Sequence, residues 1–282
     1  MRVDELSVSE TVAVAETAEA EFMYAFERGA PREAQEALGM EQARVGGGVV
    51  LVMAGDPTGG YWNKALGFGV TEPFTEDVAR DVVDRYRRAG APAGVLQLAP
   101  AALPEDWEDV SGRLGIVAGN VWAKLLRPAD EPPAPAHSDL EVGPLDPGEA
   151  EAWARLFARG FGMPEHPSLL AMFAEGASSG QRSGFRPFGA HDGTRLVAAA
   201  QLFVHDGLGA FCGAATDEDA RGRGAQSAFM QQRVEAAHAA GCTWLSSETW
   251  QESDGHHNPS LHNMERAGFV QVYDRVNWVW RP

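Results

Sequence analysis

The chain has 282 residues, of which 44% are hydrophobic and 22% charged, with a formal net charge of −17. That mix excludes wholesale disorder and leaves room for one large domain or two ordinary ones. Acidic excess in both halves opposes phosphate backbones and anionic bilayers, so neither a nucleic-acid nor a membrane partner is expected.

No apolar run is long enough for a transmembrane helix, and the first residues carry acids where a signal peptide needs an apolar core, so a cytoplasmic protein is expected. The two cysteines, Cys212 and Cys242, have no zinc-ligand spacing, which argues against a disulfide scaffold and a cysteine metal site. Arginine greatly outnumbers lysine, a skew that reads as base-composition bias and suggests no function.

In chain order, one or two helices are predicted over residues 16–41. A Gly46-Gly47-Gly48 turn leads into the strand VVLVMA. The helix TEDVARDVVDRYRRAG, the strand GVLQLAP, the helix DWEDVSGRLGI and the strand NVWAKLLRP follow. The proline-rich stretch PADEPPAPAHSD then reads as an extended spacer, dividing the chain into 1–128, a linker 129–138, and 139–282. Beyond it come two helices (EAEAWARLFARG, HPSLLAMFAEG) and three strands (FRPFGAH, RLVAAAQLFV, GAFCGAAT). The charged loop TDEDARGRG opens a helix over 225–240, which leads to the strand CTWLSSET, the helix of NPSLHNMERAGF and a last strand in VYDRVNWVWRP.

The ends of the two halves echo each other as helix, Gly, strand, helix, Gly, strand. Gly90 to Gly115 spans 25 residues and Gly241 to Gly268 spans 27. The match argues for duplication of one α/β unit, with a chance pairing as the alternative. The fold class expected is α+β, with mostly antiparallel mixed sheets flanked by helices.

The segment Arg221-Gly222-Arg223-Gly224-Ala225-Gln226-Ser227 follows an apolar strand and opens a helix. Glycines let successive amides converge, and a helix start adds unpaired N–H groups and partial positive charge, which together suit a diphosphate. Taken alone, the loop reads equally as a Gly-rich helix start with solvated arginines. A P-loop is excluded because its lysine is missing. A dinucleotide fold is disfavoured by Ser227 in place of the third glycine, by the charged residues between Thr216 and Gly222, and by the short remaining chain.

ARGRGAQSAF nevertheless resembles the acyl-CoA pyrophosphate loop of the GNAT acetyltransferase superfamily, R/Q-x-x-G-x-G/A, and NPSLHNMERAGF resembles its second signature. Two ordered signatures about 35 residues apart are more specific than either one. With the internal echo, the whole chain resembles a tandem GNAT protein with a degenerate first copy.

That resemblance implies acetyl-CoA as co-substrate, with no metal. It implies backbone contacts to the acyl carbonyl and pantetheine at Ala214 and Thr216, and a pyrophosphate cradle at Arg221, Gly222, Arg223, Gly224, Ala225 and Gln226. Further cofactor contacts would come from Asn258, Ser260 and Asn263, with Asn258 equally suited to cap its helix. Gln226 departs from the usual Gly or Ala, so its side chain must turn away from the phosphates. The tyrosine that often serves as general acid is replaced by Met264, leaving Tyr273 as a substitute or a packed strand residue. Glu248, at the end of CTWLSSET, is the leading general base, and a plain strand-end carboxylate is the alternative. His205, Asp206, His256 and His257 are weaker candidates, and a histidine metal site lacks an identifiable third ligand. Cys212 reads as core.

The first half has Glu72, Glu76 and Asp77 where the cradle would be, so one acyl-CoA site per chain is expected, in the second half. The expected activity is acetyl transfer to a primary amine by direct attack in a ternary complex; a small-molecule amine is the expected acceptor, with antibiotic, amino acid and protein N-terminus left open by the sequence. A CoA-binding sensor without turnover and an interaction module with a vestigial loop are the alternatives. The net acidity mildly favours a cationic amine, and a duplication that replaces a dimer favours a monomer.

Overall fold

The computed structural model describes residues 2–133, 135–179, 183–253 and 255–282. Ser7 starts α1 (Val8–Arg28) with a reciprocal capping box: its hydroxyl accepts from Glu10 N while Glu10 accepts from Ser7 N. α2 (Arg32–Leu38) stops at Gly39, which takes the left-handed conformation at φ +59°. The predicted helix therefore ends before Glu41, which lies in a strand that the sequence reading missed.

The first half contributes β1 (Met40–Val45), β2 (Gly48–Met53), the short β3 (Lys64–Leu66), α3 (Glu76–Ala89), β4 (Gly94–Gln97), α4 (Trp107–Leu114) and β5 (Ile116–Pro128). The second half contributes β6 (Glu141–Pro144), α5 (Ala150–Gly160), α6 (Pro167–Ser178), β7 (Phe185–Asp192), β8 (Arg195–His205), β9 (Leu208–Thr216), α7 (Ala225–Ala239), β10 (Trp244–Trp250), α8 (Pro259–Arg266) and β11 (Val270–Trp280).

All strands join one 11-stranded sheet in the order β1-β2-β3-β4-β11-β5-β10-β9-β8-β7-β6. The last strand of each half lies against the other half: β5 pairs with β10, and β11 pairs with β4, both antiparallel. β5 and β11 also pair with each other, so the two halves share the sheet's centre.

Side-chain alternation sorts the helices into two layers. Val49, Leu51 and Met53 of β2 join the core under α1, α2, α5 and α6, while Val50 and Val52 join the core under α3 and α4. In β8, Ala199 and Phe203 face the first layer, and Ala198, Ala200 and Leu202 pack with α7 and α8. Among the described residues, no helix is long and apolar enough to cross a membrane.

The proline-rich stretch is tied to α7 and its loop. Ala136 N donates to Gln231 Oε1 at 2.8 Å, and Ser138 Oγ donates to Arg223 O at 2.8 Å.

Candidate active site

β9 and β10 run parallel but pair only where they start, with Trp244 to Ser246 opposite Leu208 to Ala210. Beyond these pairs the two strands line a cavity of about 1010 Å³. One wall carries residues 210–214 with Gln226, Met230 and Arg233, and the other carries residues 246–250 with Ser260 and Met264. The first half closes the cavity with α1 and with Tyr61, Trp62, Lys64, Trp122 and Lys124. Tyr61, Phe161 and Trp250 remain exposed at the rim.

Glu248 lines this cavity, directly opposite Lys124 in the β10–β5 ladder. Its Oε2 lies 3.1 Å from Lys124 Nζ and 2.7 Å from Arg275 Nη2. Glu19 of α1 also pairs with Lys124 Nζ (2.6 Å) and with Arg275 Nη1 (2.6 Å), and Arg275 reaches Glu16 as well (2.9 Å). Glu248 is the most open member of this network, with 18% of its side chain exposed against 5% for Glu19, 1% for Lys124 and 0% for Arg275.

The two carboxyls are driven apart. Burial first, then repulsion by Glu19, raises Glu248 to about 7 against the pull of Lys124 and Arg275. Glu19, held between the two cations, falls well below the usual carboxylate range despite its burial. A group that ionises near neutrality, beside a cavity, can accept a proton at working pH.

Tyr273 is placed differently. It does not line the cavity, and its hydroxyl donates to Glu16 Oε1 at 2.6 Å. Burial and the Glu16 carboxylate raise it further from ionisation. Met264 is in the cavity wall and carries no proton to give.

The loop before α7 turns on Gly222 and Gly224, both at positive φ (+79° and +83°). A Cβ on Gly222 would meet nothing within 4 Å, whereas one on Gly224 would strike His137 O at 2.1 Å, because the linker lies across it. Arg223 is held by Asp139 (3.0 Å) and Asp192 (2.7 Å), so its charge is already countered. Arg221 is exposed and makes no ion pair among the described residues. Gln226 turns toward β9 and donates from Nε2 to Thr216 Oγ1 at 2.9 Å. Ala225 is buried at the helix start, and Ala214 and Ser260 line the cavity.

Asn258 caps α8: its Oδ1 accepts from Ser260 N (3.0 Å) and Leu261 N (3.4 Å), while Nδ2 donates to Thr249 Oγ1 and Trp250 O. Asn263 lies off the cavity and accepts from Arg266. Cys212 lines the cavity, but burial raises its thiol well above the usual value and keeps it protonated. His205 lies 3.4 Å from Asp206, on the exposed β8–β9 turn. His257 and His262 each lie 3.0 Å from Glu252 Oε1. These three groups offer ligand atoms within 4.8 Å of one another, a set that could hold a divalent cation; of them the sequence reading named only His257, and neither Glu252 nor His262 was identified.

Among the described residues, the matching stretch of the first half is built differently. β3 and β4 are its parallel pair, and Phe68, Phe74 and Trp107 join Ala65 and Leu96 in one buried cluster there. The first turn of α3 carries Glu76, which pairs with Arg80 and Arg113.

No family model and no curated protein matches the chain. Solved structures do match along nearly its whole length. A GCN5-related N-acetyltransferase from Sphaerobacter thermophilus aligns with TM-score 0.60 and 13% identity, over 98% of this chain and 95% of that one. Another from Kribbella flavida aligns with TM-score 0.58 and 15% identity, over 93% and 95%. A tandem GNAT protein from the clavulanic acid biosynthesis pathway aligns with TM-score 0.57 and 14% identity, over 93% and 95%. The chain has the tandem GNAT fold.

Within this GNAT fold, sequence reasoning missed Glu19, Lys64, Lys124 and Arg233 as cavity residues. One signal was available. Only two lysines occur in the chain, and both are buried in the cavity wall, at 3% and 1% exposure. A composition that discards lysine elsewhere and keeps it at two buried positions marks those positions.

Proposed function

We propose that the protein is an acyl-CoA-dependent N-acyltransferase that moves an acetyl-type group to a primary amine by direct attack. The observation that carries this reading is Glu248, a carboxyl raised to about 7, in the lining of a cavity between two parallel strands that pair only where they start. Acetyl-CoA would supply the acyl group as a thioester.

The residues present fit that co-substrate in part. Trp62, Trp122 and Ser247 line the cavity and each carries a buried polar atom without a protein partner, which suits a polar guest. The amides of residues 222–226 and the Arg221 charge suit the pyrophosphate, and the β9 edge from Ala214 to Thr216 suits the pantetheine. Arg223 fits less well, because Asp139 and Asp192 already hold it, so its role is to fix the loop.

Glu248 takes the proton of the amine as the nitrogen attacks the acyl carbon; the C–N bond forms, the C–S bond breaks and the electron pair leaves on sulfur. A thiol ionises at about 8.5, so its thiolate is a tolerable leaving group near neutral pH, and Met264 at the usual acid position is compatible with turnover. The acceptor is a small amine, and the catalytic unit is one chain with one acyl-CoA site in its second half. Thiol release from acetyl-CoA across an amine panel tests this reading. Binding without release from any amine would favour the sensor alternative, which Met264 motivates.

A further inference from the structure

Five ionisable side chains other than the Cys212 thiol and the Tyr61 hydroxyl line the cavity: Glu19 and Glu248 against Lys64, Lys124 and Arg233. The acidity of the chain as a whole is therefore not the charge of its cavity. Lys124 is neutralised by both carboxylates, and Lys64 lies over the rings of Tyr61 (4.4 Å) and Trp122 (5.5 Å). Arg233 stands apart. It is 1% exposed and projects from α7 over the face of Phe211, 4.2 Å from the ring centroid. Its hydrogen bonds go to Phe229 O (3.2 Å), Gln201 O (3.4 Å), Gly213 O (3.4 Å) and Met230 Sδ (3.5 Å), none of them charged. Among the described residues no carboxylate forms an ion pair with it.

A guanidinium is costly to bury without a counter-charge and is shaped to take a carboxylate with two parallel bonds. The carbonyls of Gln201 and Gly213, at an irregular stretch of the β8–β9 ladder, accept long bonds that leave most of its donors weakly used. Gly213 immediately precedes Ala214, where the acyl end of the co-substrate is expected.

We propose that Arg233 anchors a carboxylate carried by one of the two reactants, either on the far end of the acyl group or on the amine. This inference rests on the transferase reading and narrows it to dicarboxylic acyl donors or amino-acid-like acceptors.

The test is calorimetry on the full chain, with the Arg233→Met and Arg233→Lys variants alongside. In the donor arm, acetyl-CoA is compared with malonyl- and succinyl-CoA. In the acceptor arm, amino acids are compared with their carboxamides in the presence of CoA. The expected result is a preference for the carboxylate form of about tenfold or more in one arm. Arg233→Met abolishes that preference, and Arg233→Lys restores part of it. Wild-type selectivity alone decides the matter where a variant fails to fold.

Acetyl-CoA binding with no carboxylate preference in either arm overturns the inference and leaves the transferase reading standing. An equal loss for every donor in Arg233→Met also overturns it, and makes Arg233 a brace for β8 and β9. If no acyl-CoA binds, the transferase reading fails, and free glutarate, followed by the intrinsic tryptophan fluorescence of the chain, then tests the anchor. Quenching that depends on Arg233 upholds the anchor, and its absence overturns it.

Discussion

Glu248 and Lys124 face each other across β10 and β5, with Lys124 Nζ 3.1 Å from Glu248 Oε2. One residue belongs to the second half and the other to the last strand of the first. The strand exchange thus brings the first half's lysine, together with Glu19 from α1, against the base of the second half's cavity. The first half is part of the site's electrostatics as well as its wall.

Glu248→Gln keeps the shape and removes the base. The expected outcome is a fall in kcat of about 10²–10⁴-fold with acetyl-CoA affinity nearly unchanged. In the wild type, kcat/KM rises with pH through an apparent value near 7 that belongs to the coupled Glu19–Glu248 pair, and the variant loses that limb. Steady-state rates from pH 5 to 9 check both.

The same two carboxyls act oppositely on stability. Glu248 binds its proton more tightly in the fold than unfolded, so it makes stability fall as pH rises from about 4.5 to 7. Glu19 is depressed, so its contribution is present above about 4.5 and lost as pH falls through its folded value. Urea unfolding of Glu248→Gln across this range is expected to lack the first slope.

Lys124→Met removes one of the two cations that hold Glu248 down. The pH limb is expected to move upward by roughly one unit, because repulsion by Glu19 and burial then act with less opposition. An unmoved limb would separate Glu248 from the observed titration.

Arg275 is fully buried and ties Glu16, Glu19 and Glu248 together. Arg275→Met leaves carboxylates buried without their partner and is expected to cost about 3–5 kcal/mol in urea unfolding. A loss below about 1 kcal/mol would mean that water reaches these groups.

Much of the second half was legible because its signals are local. Helix periodicity, glycine stops and the loop at 221–227 all fall within short windows, and the structure has a strand, turn and helix there. Asn258 likewise caps α8, as its place before Pro259 allowed. What was not legible depended on distant pairing. The exchange of β5 and β11 joins segments far apart in the chain, and no local pattern records which strand a strand will meet. Arg223 read as a free cation because Asp139 and Asp192 come from the linker end and from β7. Tyr273 read as a possible acid because Glu16, its partner, lies 257 residues away.

The central claim is one acyl-CoA site per chain, cradled at the start of α7, and calorimetric titration of the full chain with acetyl-CoA tests it most directly. The predicted result is a stoichiometry of one, lost in Arg221→Glu by about tenfold or more in affinity, with a smaller effect of Arg223→Gln because Arg223 is already paired. Two sites per chain, or none, would contradict it.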